Sequence, residues 1–274
     1  MIAEDFAYYR PGSLPEAARL FSELDHEGDH PLYYAGGTEI LTQARLRNLG
    51  TRALIDLKGI PECRLCDRQD GRLILGSCLT LAEIAAQNPW PLLTETVGRL
   101  ADHTTRRKIT LGGNLAGTIH YREAALPFLL VDARARLYGP GGDRRASFDK
   151  VFDGTLQFGR GEFLVHLEVP EADLDLPGAC VKTTRLDWVD YPLVTVAAVR
   201  SEDGYRVALS GLLDRPFRAT GLEKALGSRH EGALSHLKKA LGTLPKGVLE
   251  DLHGSADYRR FVLGHTLEDI LSHI

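Results

Sequence analysis

The residues with the clearest chemistry lie in two short glycine-rich stretches. The first is Tyr33-Tyr34-Ala35-Gly36-Gly37-Thr38-Glu39-Ile40, where two glycines separate a short apolar run from a helical pattern. Glycine permits positive φ and lets another molecule approach the backbone closely. Thr38 reads as the N-cap, and the first amides of a helix have no internal acceptor. Those amides and the helix dipole favour an anion, most often a phosphate. A tight strand-to-helix turn without a ligand is the plainer reading of the same residues. The second stretch is Thr110-Leu111-Gly112-Gly113-Asn114-Leu115-Ala116-Gly117. Each loop is expected to offer bare amides and a short polar side chain, so the pair reads as two walls of one diphosphate site. No Gly-x-Gly-x-x-Gly follows a strand, and no Gly-Lys-Ser/Thr follows a glycine loop, which sets aside the ordinary dinucleotide fold and the nucleotide triphosphatases.

The four cysteines are Cys63, Cys66, Cys78 and Cys180. Cys63-x-x-Cys66 is compatible with a redox pair or half a metal site, but the other two are too far apart to complete a four-ligand set. No metal is expected. The chain has 274 residues, 43% of them hydrophobic and 26% charged, with a net charge of −4. That composition is globular, long enough for two domains, and lacks the basic balance of a nucleic-acid binder. No apolar run reaches the length of a membrane helix. The acidic start, Met-Ile-Ala-Glu-Asp-Phe, is unlike a signal peptide. The reading is therefore cytoplasmic, with reduced thiols and no nucleic-acid or membrane partner.

The elements that must position these loops follow from pattern. Ser13-Leu-Pro-Glu16 is a capping box that opens a helix through Leu24. Leu32–Ala35 and Ala53–Leu57 are short buried strands flanking a helix from Thr38 to about Arg47. Arg72–Gly76 is strand-like, and the box Thr80-Leu-Ala-Glu83 opens a helix expected to run to about Ala101. A helix is expected over 122–133, with Pro127 in an early turn or at a kink. Gly139–Gly142 marks a turn, and Glu162–Val169 alternates as a strand. Leu193–Val199 and Tyr205–Leu209 form a hairpin around Glu202-Asp-Gly204. Helices are expected over 231–241, 246–252 and from Ser255 onward, packed on one face of a sheet.

Several ordered motifs, taken together, resemble a known family. Tyr34-Ala-Gly-Gly-Thr-Glu-Ile, Leu54-Ile-Asp-Leu-Lys-Gly-Ile-Pro and Ile109-Thr-Leu-Gly-Gly-Asn-Leu-Ala are similar to segments of the FAD-binding subunit of molybdenum hydroxylases. The family includes the flavin subunit of xanthine dehydrogenase and the medium subunit of carbon monoxide dehydrogenase. The resemblance continues through Lys182-Thr-Thr-Arg185, Tyr191-Pro-Leu-Val194 and Gly254-Ser-Ala-Asp-Tyr-Arg-Arg260.

The resemblance implies an α+β chain with α/β segments. A two-part FAD-binding domain of the PCMH/vanillyl-alcohol-oxidase type (1–58 and 59–167) would precede a C-terminal α+β domain (168–274) of the carbon monoxide dehydrogenase flavoprotein type. It implies FAD, with Ala35 to Ile40 wrapping the pyrophosphate and Tyr33 and Tyr34 also among the cofactor-binding residues. Thr110, Gly112, Gly113, Asn114, Ala116 and Gly117 would lie against the rest of the cofactor. Ala101 would make a further contact. Glu123 stands where the family usually has an Asp near cofactor hydroxyls, and Lys182 matches a lysine near the flavin. Partners would be a large subunit with a molybdenum cofactor and a small one with 2Fe-2S clusters. FAD would pass electrons to NAD or another acceptor, and no residue of this chain need be a catalytic acid or base. A stand-alone FAD-dependent oxidoreductase and a flavin-free scaffold subunit are the alternatives.

One segment departs from the family pattern. Gly117-Thr-Ile-His-Tyr-Arg-Glu123 replaces a Ser-Pro stretch, putting Tyr121 in position to pack against the ring system and His120 in a loop. Plainer roles exist for several residues: Glu39 as a first-turn acid, Lys182 as a solvated edge-strand charge, Trp90 and Trp188 as core or interface aromatics.

Overall fold

The computed structural model describes residues 5–186, 189–227 and 233–274. In chain order the first elements are β1 (Ala7–Tyr9), α1 (Leu14–His26), β2 (Leu32–Tyr34), α2 (Thr38–Arg45) and β3 (Ala53–Asp56). Then follow β4 (Cys66–Gln69), β5 (Arg72–Gly76), α3 (Leu81–Gln87), α4 (Pro91–Gly98), α5 (His103–Arg106), α6 (Leu111–Ala116) and α7 (Leu126–Leu129). Next come β6 (Arg134–Gly139), β7 (Gly142–Ser147), α8 (Phe148–Val151), β8 (Phe163–Pro170), β9 (Gly178–Thr184) and β10 (Pro192–Ser201). The chain closes with β11 (Gly204–Ser210), β12 (Phe217–Arg218), α9 (Thr220–Leu226), α10 (Ala233–Leu241) and α11 (Ala256–His273).

These elements form two compact units that exchange segments along the sequence. The first contains residues 1–83, 103–118 and 133–169; the second contains 84–102, 119–132 and 170–274. In the first unit, β1 and β2 both pair in parallel with β3, and a five-stranded sheet runs β4-β5-β8-β6-β7. Parallel neighbours need crossovers, which α1 and α2 supply. The buried residues Leu14, Ala17 and Leu24 of α1 pack with Ala53 and Ile55 of β3 and with Phe163 and Val165 of β8. One core thus serves both sheets. The Thr80 box forms in both directions, Thr80 Oγ1 accepting the Glu83 N–H at 3.1 Å and Glu83 Oε2 accepting the Thr80 N–H at 2.8 Å. At Ser13 the side chain accepts the Glu16 N–H at 3.4 Å, while Glu16 Oε2 accepts the Gly12 N–H at 2.8 Å.

The second unit is built on the sheet β12-β11-β10-β9. Val194, Val196 and Ala198 of β10, with Val207 and Leu209 of β11, bury one face against Leu222, Leu237, Leu263, Leu267 and Ile270 of the C-terminal helices. The other face is covered as well, because α4 packs on β9 and α7 on β10 and β11. The expectation of helices on one face fails here, since the covering segments lie far upstream in sequence.

Other local expectations also change. The helix expected from Thr80 to Ala101 is two helices: Asn88 takes a left-handed φ of 47° and Pro91 starts α4. The helix expected over 122–133 shrinks to a 3₁₀ turn at Glu123–Ala125 followed by α7, with Pro127 in its first turn. Residues 246–252 contain no helix; Asp251 bridges to Gly254 instead. β1, β4 and the β6–β7 hairpin were not expected beyond the Gly139–Gly142 turn that joins the last pair. Trp188 and the start of the helix expected at Glu231 lie outside the described residues. Trp90 is core: it is buried, edge-on to Phe128.

Candidate cofactor site

Tyr34 ends β2, and the chain must turn sharply to begin α2. Gly37 makes that turn with φ +69° and is itself the N-cap, so Thr38 is the first helical residue rather than the cap. An L-residue pays sterically for this φ, which is why glycine and not threonine sits there. No side chain caps the helix. The first intrahelical bond is Leu41 N–H to Gly37 O, 2.9 Å, so the amides of Thr38, Glu39 and Ile40 precede the ladder. Together with the dipole they form a receptive end for an anion. The Tyr34 ring fills the place a Gly37 side chain would take. The Tyr33 ring lies between Phe21 and Phe163, and its hydroxyl donates to Gly161 O at 2.9 Å. Tyr33 is therefore a packing residue of the strand.

The second loop differs from expectation. Thr110 caps α6 by accepting the Gly113 N–H at 3.2 Å. The Leu111 and Gly112 amides donate to Leu79 O and Ser77 O, both at 2.8 Å, and the Asn114 amide donates to Thr110 O at 2.9 Å. The amides of Leu111, Gly112 and Asn114 are thus engaged by protein carbonyls and that of Gly113 by the Thr110 hydroxyl, so these four are not bare. Gly112 is needed because Ser77 Cβ lies 2.7 Å from where its own Cβ would be. The second glycine pair serves close backbone packing, whereas the Thr38, Glu39 and Ile40 amides of the first loop precede the α2 ladder.

The two loops nonetheless meet. A Cβ on Gly36 would overlap the Lys108 carbonyl and come within 3.3 Å of Thr110 N. Glu39 Oε1 accepts the Thr118 N–H at 2.5 Å and the Thr118 hydroxyl as well. A Cβ on Gly117 would collide with that carboxylate. Glu39 therefore does more than complement the dipole: it ties the start of α2 to the end of the second loop.

Beneath the first loop lies a cluster built on Asp56 and Lys58, which fall within the Leu54–Pro61 motif but outside the residues assigned to the cofactor. Lys58 Nζ donates to Ala35 O at 2.6 Å, pairs with Asp56 Oδ1 at 2.9 Å, and sits 4.4 Å from the centre of the Tyr34 ring. Tyr8 donates its hydroxyl to the other Asp56 oxygen. Burial pushes the Asp56 carboxyl up, but the Tyr8 and Lys58 bonds outweigh it and hold Asp56 below the usual range. The bond to Asp56 is also the main reason the Tyr8 phenol is pushed up to about 12. The available signal was a lysine two residues after the buried Asp56 at the end of a strand.

Ala101, Tyr121, Glu123 and Lys182 belong to the second unit. Glu123 is buried and accepts the Thr195 hydroxyl at 2.5 Å, with Lys182 Nζ 3.5 Å away. Lys182 also donates to Arg99 O at 3.2 Å. Although β9 is an edge strand, this ammonium is inside, so the reading of Lys182 as a solvated charge fails. Burial pushes the Glu123 carboxyl up, against the opposing pull of Lys182 and Thr195. Tyr121 is buried, stacked on Tyr191 with ring centres 4.9 Å apart, and its carbonyl accepts the Ser210 hydroxyl at 2.6 Å. His120 lies against the Tyr121 ring at 4.0 Å. Burial holds the His120 imidazole below its ordinary range, and its Nε2 is buried without a hydrogen-bond partner. Ala101 takes a left-handed φ of 50°, unusual for a residue other than glycine.

The donor set suits a diphosphate: three amides ahead of a helix ladder, a lysine at the loop base, and a neighbouring Glu39 carboxylate already engaged by Thr118. Among the described residues no group of three or more His, Cys, Asp or Glu side chains is placed to hold a metal ion. No described helix is long and apolar enough to cross a membrane.

Fold and loop together define an α+β protein whose glycine turn leads into a helix with no side-chain cap. Residues 4–172 match the FAD binding domain in molybdopterin dehydrogenase, and the chain belongs to that family. Its cofactor is FAD. The chain is 27% identical to the carbon monoxide dehydrogenase medium chain of Hydrogenophaga pseudoflava, over 99% of this chain and 98% of that one. It is 25% identical to the xanthine dehydrogenase FAD-binding subunit of Escherichia coli O157:H7, covering 93% and 89%. Its fold is similar to that of a chain in the carbon monoxide dehydrogenase structure from Hydrogenophaga pseudoflava lacking the Mo-pyranopterin moiety. There the TM-score is 0.87 at 24% identity, covering 100% of this chain and 98% of the other.

Proposed function

We propose that the chain is the FAD-binding, electron-transfer medium subunit of a molybdopterin-dependent dehydrogenase. Its partners in this reading are a large subunit carrying the molybdenum cofactor and a small subunit carrying 2Fe-2S clusters. In this reading FAD, when bound, would supply the redox link between those clusters and NAD or another acceptor. The observation that carries the reading is the family match over residues 4–172, joined to end-to-end similarity with a carbon monoxide dehydrogenase medium chain.

The redox chemistry is supplied by FAD when bound; the protein contributes position and electrostatics. Thr38, Glu39 and Ile40 offer backbone amides to the pyrophosphate, while Ala35, Gly36 and Gly37 shape the turn that exposes them. Thr110, Gly112, Gly113, Asn114, Ala116 and Gly117 form the packed second wall. Tyr121, Glu123, Lys182 and Ala101 are assigned to the remainder of the cofactor. The reading divides the chain into 1–58 and 59–167 for FAD and 168–274 for the C-terminal domain.

Affinity purification of the tagged chain from its own cells tests this. The expected result is co-purification of a larger and a smaller subunit, with molybdenum and iron by elemental analysis. A chain that purifies alone with flavin and turns over a donor and an acceptor contradicts it.

A further inference from the structure

We propose that Lys58 is a positioning residue for cofactor binding, clamping the first glycine loop in its anion-receptive form and masking the Asp56 charge beneath it. The inference rests on the assignment of that loop to the FAD pyrophosphate, and it assigns a function to a side chain outside both glycine motifs.

The geometry gives one ammonium three tasks. It holds Ala35 O at 2.6 Å, Asp56 Oδ1 at 2.9 Å and the face of the Tyr34 ring at 4.4 Å. In a planar trans peptide the C=O and the next N–H point in opposite directions. Fixing the Ala35 carbonyl toward Lys58 therefore turns the Gly36 N–H away from it. The other side of Gly36 is wedged against the Lys108 carbonyl. The turn leading to Gly37 and the amides of Thr38–Ile40 is thus held from two directions. The same ammonium holds the Tyr34 ring that covers Gly37.

The electrostatic task is separate. Asp56 is almost fully buried just below the loop, with its two oxygens engaged by Tyr8 and Lys58. A buried carboxylate without a cation would repel an incoming diphosphate, since charges interact strongly at low effective dielectric. Lys58 offsets that charge, with its side chain 32% exposed against 2% for Asp56.

The test is FAD titration of the full chain, stripped of flavin and followed by flavin fluorescence, with ADP affinity measured by competition. Loss of a charge-assisted hydrogen bond corresponds to about tenfold to a hundredfold in affinity. Lys58→Met is expected to weaken FAD and ADP by the same factor in that range. Lys58→Arg restores most of the affinity, because a guanidinium reaches both oxygens with its charge intact. The double variant Lys58→Met/Asp56→Asn removes the uncompensated carboxylate, so it also serves if the single variant does not fold; it is expected to stay weak because the Ala35 carbonyl remains unheld. FAD binding by Lys58→Met within about twofold of the parent overturns the inference. So does weakening of FAD without ADP, or full recovery in the double variant. A parent chain that binds no FAD overturns the proposed function itself, which is a distinguishable result.

Discussion

Lys182→Met probes the buried pair of the second unit with a magnitude set by its geometry. The Lys182 and Glu123 side chains are 5% and 4% exposed, and their charged atoms are 3.5 Å apart. Deleting the cation leaves Glu123 buried with the Thr195 hydroxyl as its remaining described partner. Breaking a buried pair from one side costs about 3–5 kcal/mol. For a chain of this size that is roughly 6–20 °C in Tm. The assay is thermal unfolding by far-UV circular dichroism at pH 8 and at pH 5.5. The sign of the pH dependence follows from Glu123, whose carboxyl burial raises while Lys182 pulls it down. An acid with a raised folded pKa contributes stability that is fully present below its unfolded value and lost as pH rises through the folded one. Removing Lys182 raises Glu123 further, so the deficit should be largest at pH 8 and shrink toward pH 5.5. Lys182→Met/Glu123→Gln should recover most of the loss, because replacing both partners is close to neutral. A deficit below about 1 kcal/mol, or one that is equal at both pH values and persists in the double variant, refutes the reasoning.

Gly36→Ala forces a Cβ into the Lys108 carbonyl, a backbone atom that cannot rotate away. It should lower stability by about 1–3 kcal/mol and weaken FAD in titration. Gly98→Ala, whose Cβ meets nothing within 4 Å, is the control and should leave both unchanged or slightly improved. Arg259 is fully buried and donates to Leu193 O and Gly211 O at 2.5 and 2.8 Å while pairing with Asp251 at 2.6 Å. Arg259→Met strands those acceptors and should cost about 3 kcal/mol or more, seen as a lower urea midpoint.

The parts legible in sequence were those in which local pattern and tertiary need coincide. The Ser13 and Thr80 boxes capped helices because each side chain answers its own backbone. The Glu202–Gly204 turn joined β10 to β11 because alternation and turn chemistry agree. The turn into α2 is readable from Gly36-Gly37 ahead of a helix, although Gly37 rather than Thr38 is the cap.

What was not legible depended on distant partners. The second loop carries the same glycine signature, yet its amides meet the carbonyls of Ser77 and Leu79, some 30 residues upstream. Nothing within Leu111–Gly117 announces that pairing. Lys182 looked like an edge-strand charge because its strand is an edge; its burial comes from Arg99 and Glu123, contributed by segments far back in the chain. Lys58 stands in the Leu54–Pro61 motif, but its role is hidden for the same reason, since its acceptor Ala35 lies across a parallel strand pair.

The most direct measurement is equilibrium titration of the flavin-free full chain with FAD, followed by flavin absorbance and fluorescence, with ADP and riboflavin as competitors. If the first loop holds the pyrophosphate, one FAD binds per chain, ADP competes, and riboflavin, which lacks phosphate, competes far less. A folded chain that binds no FAD, or that takes riboflavin as readily as FAD, contradicts the account.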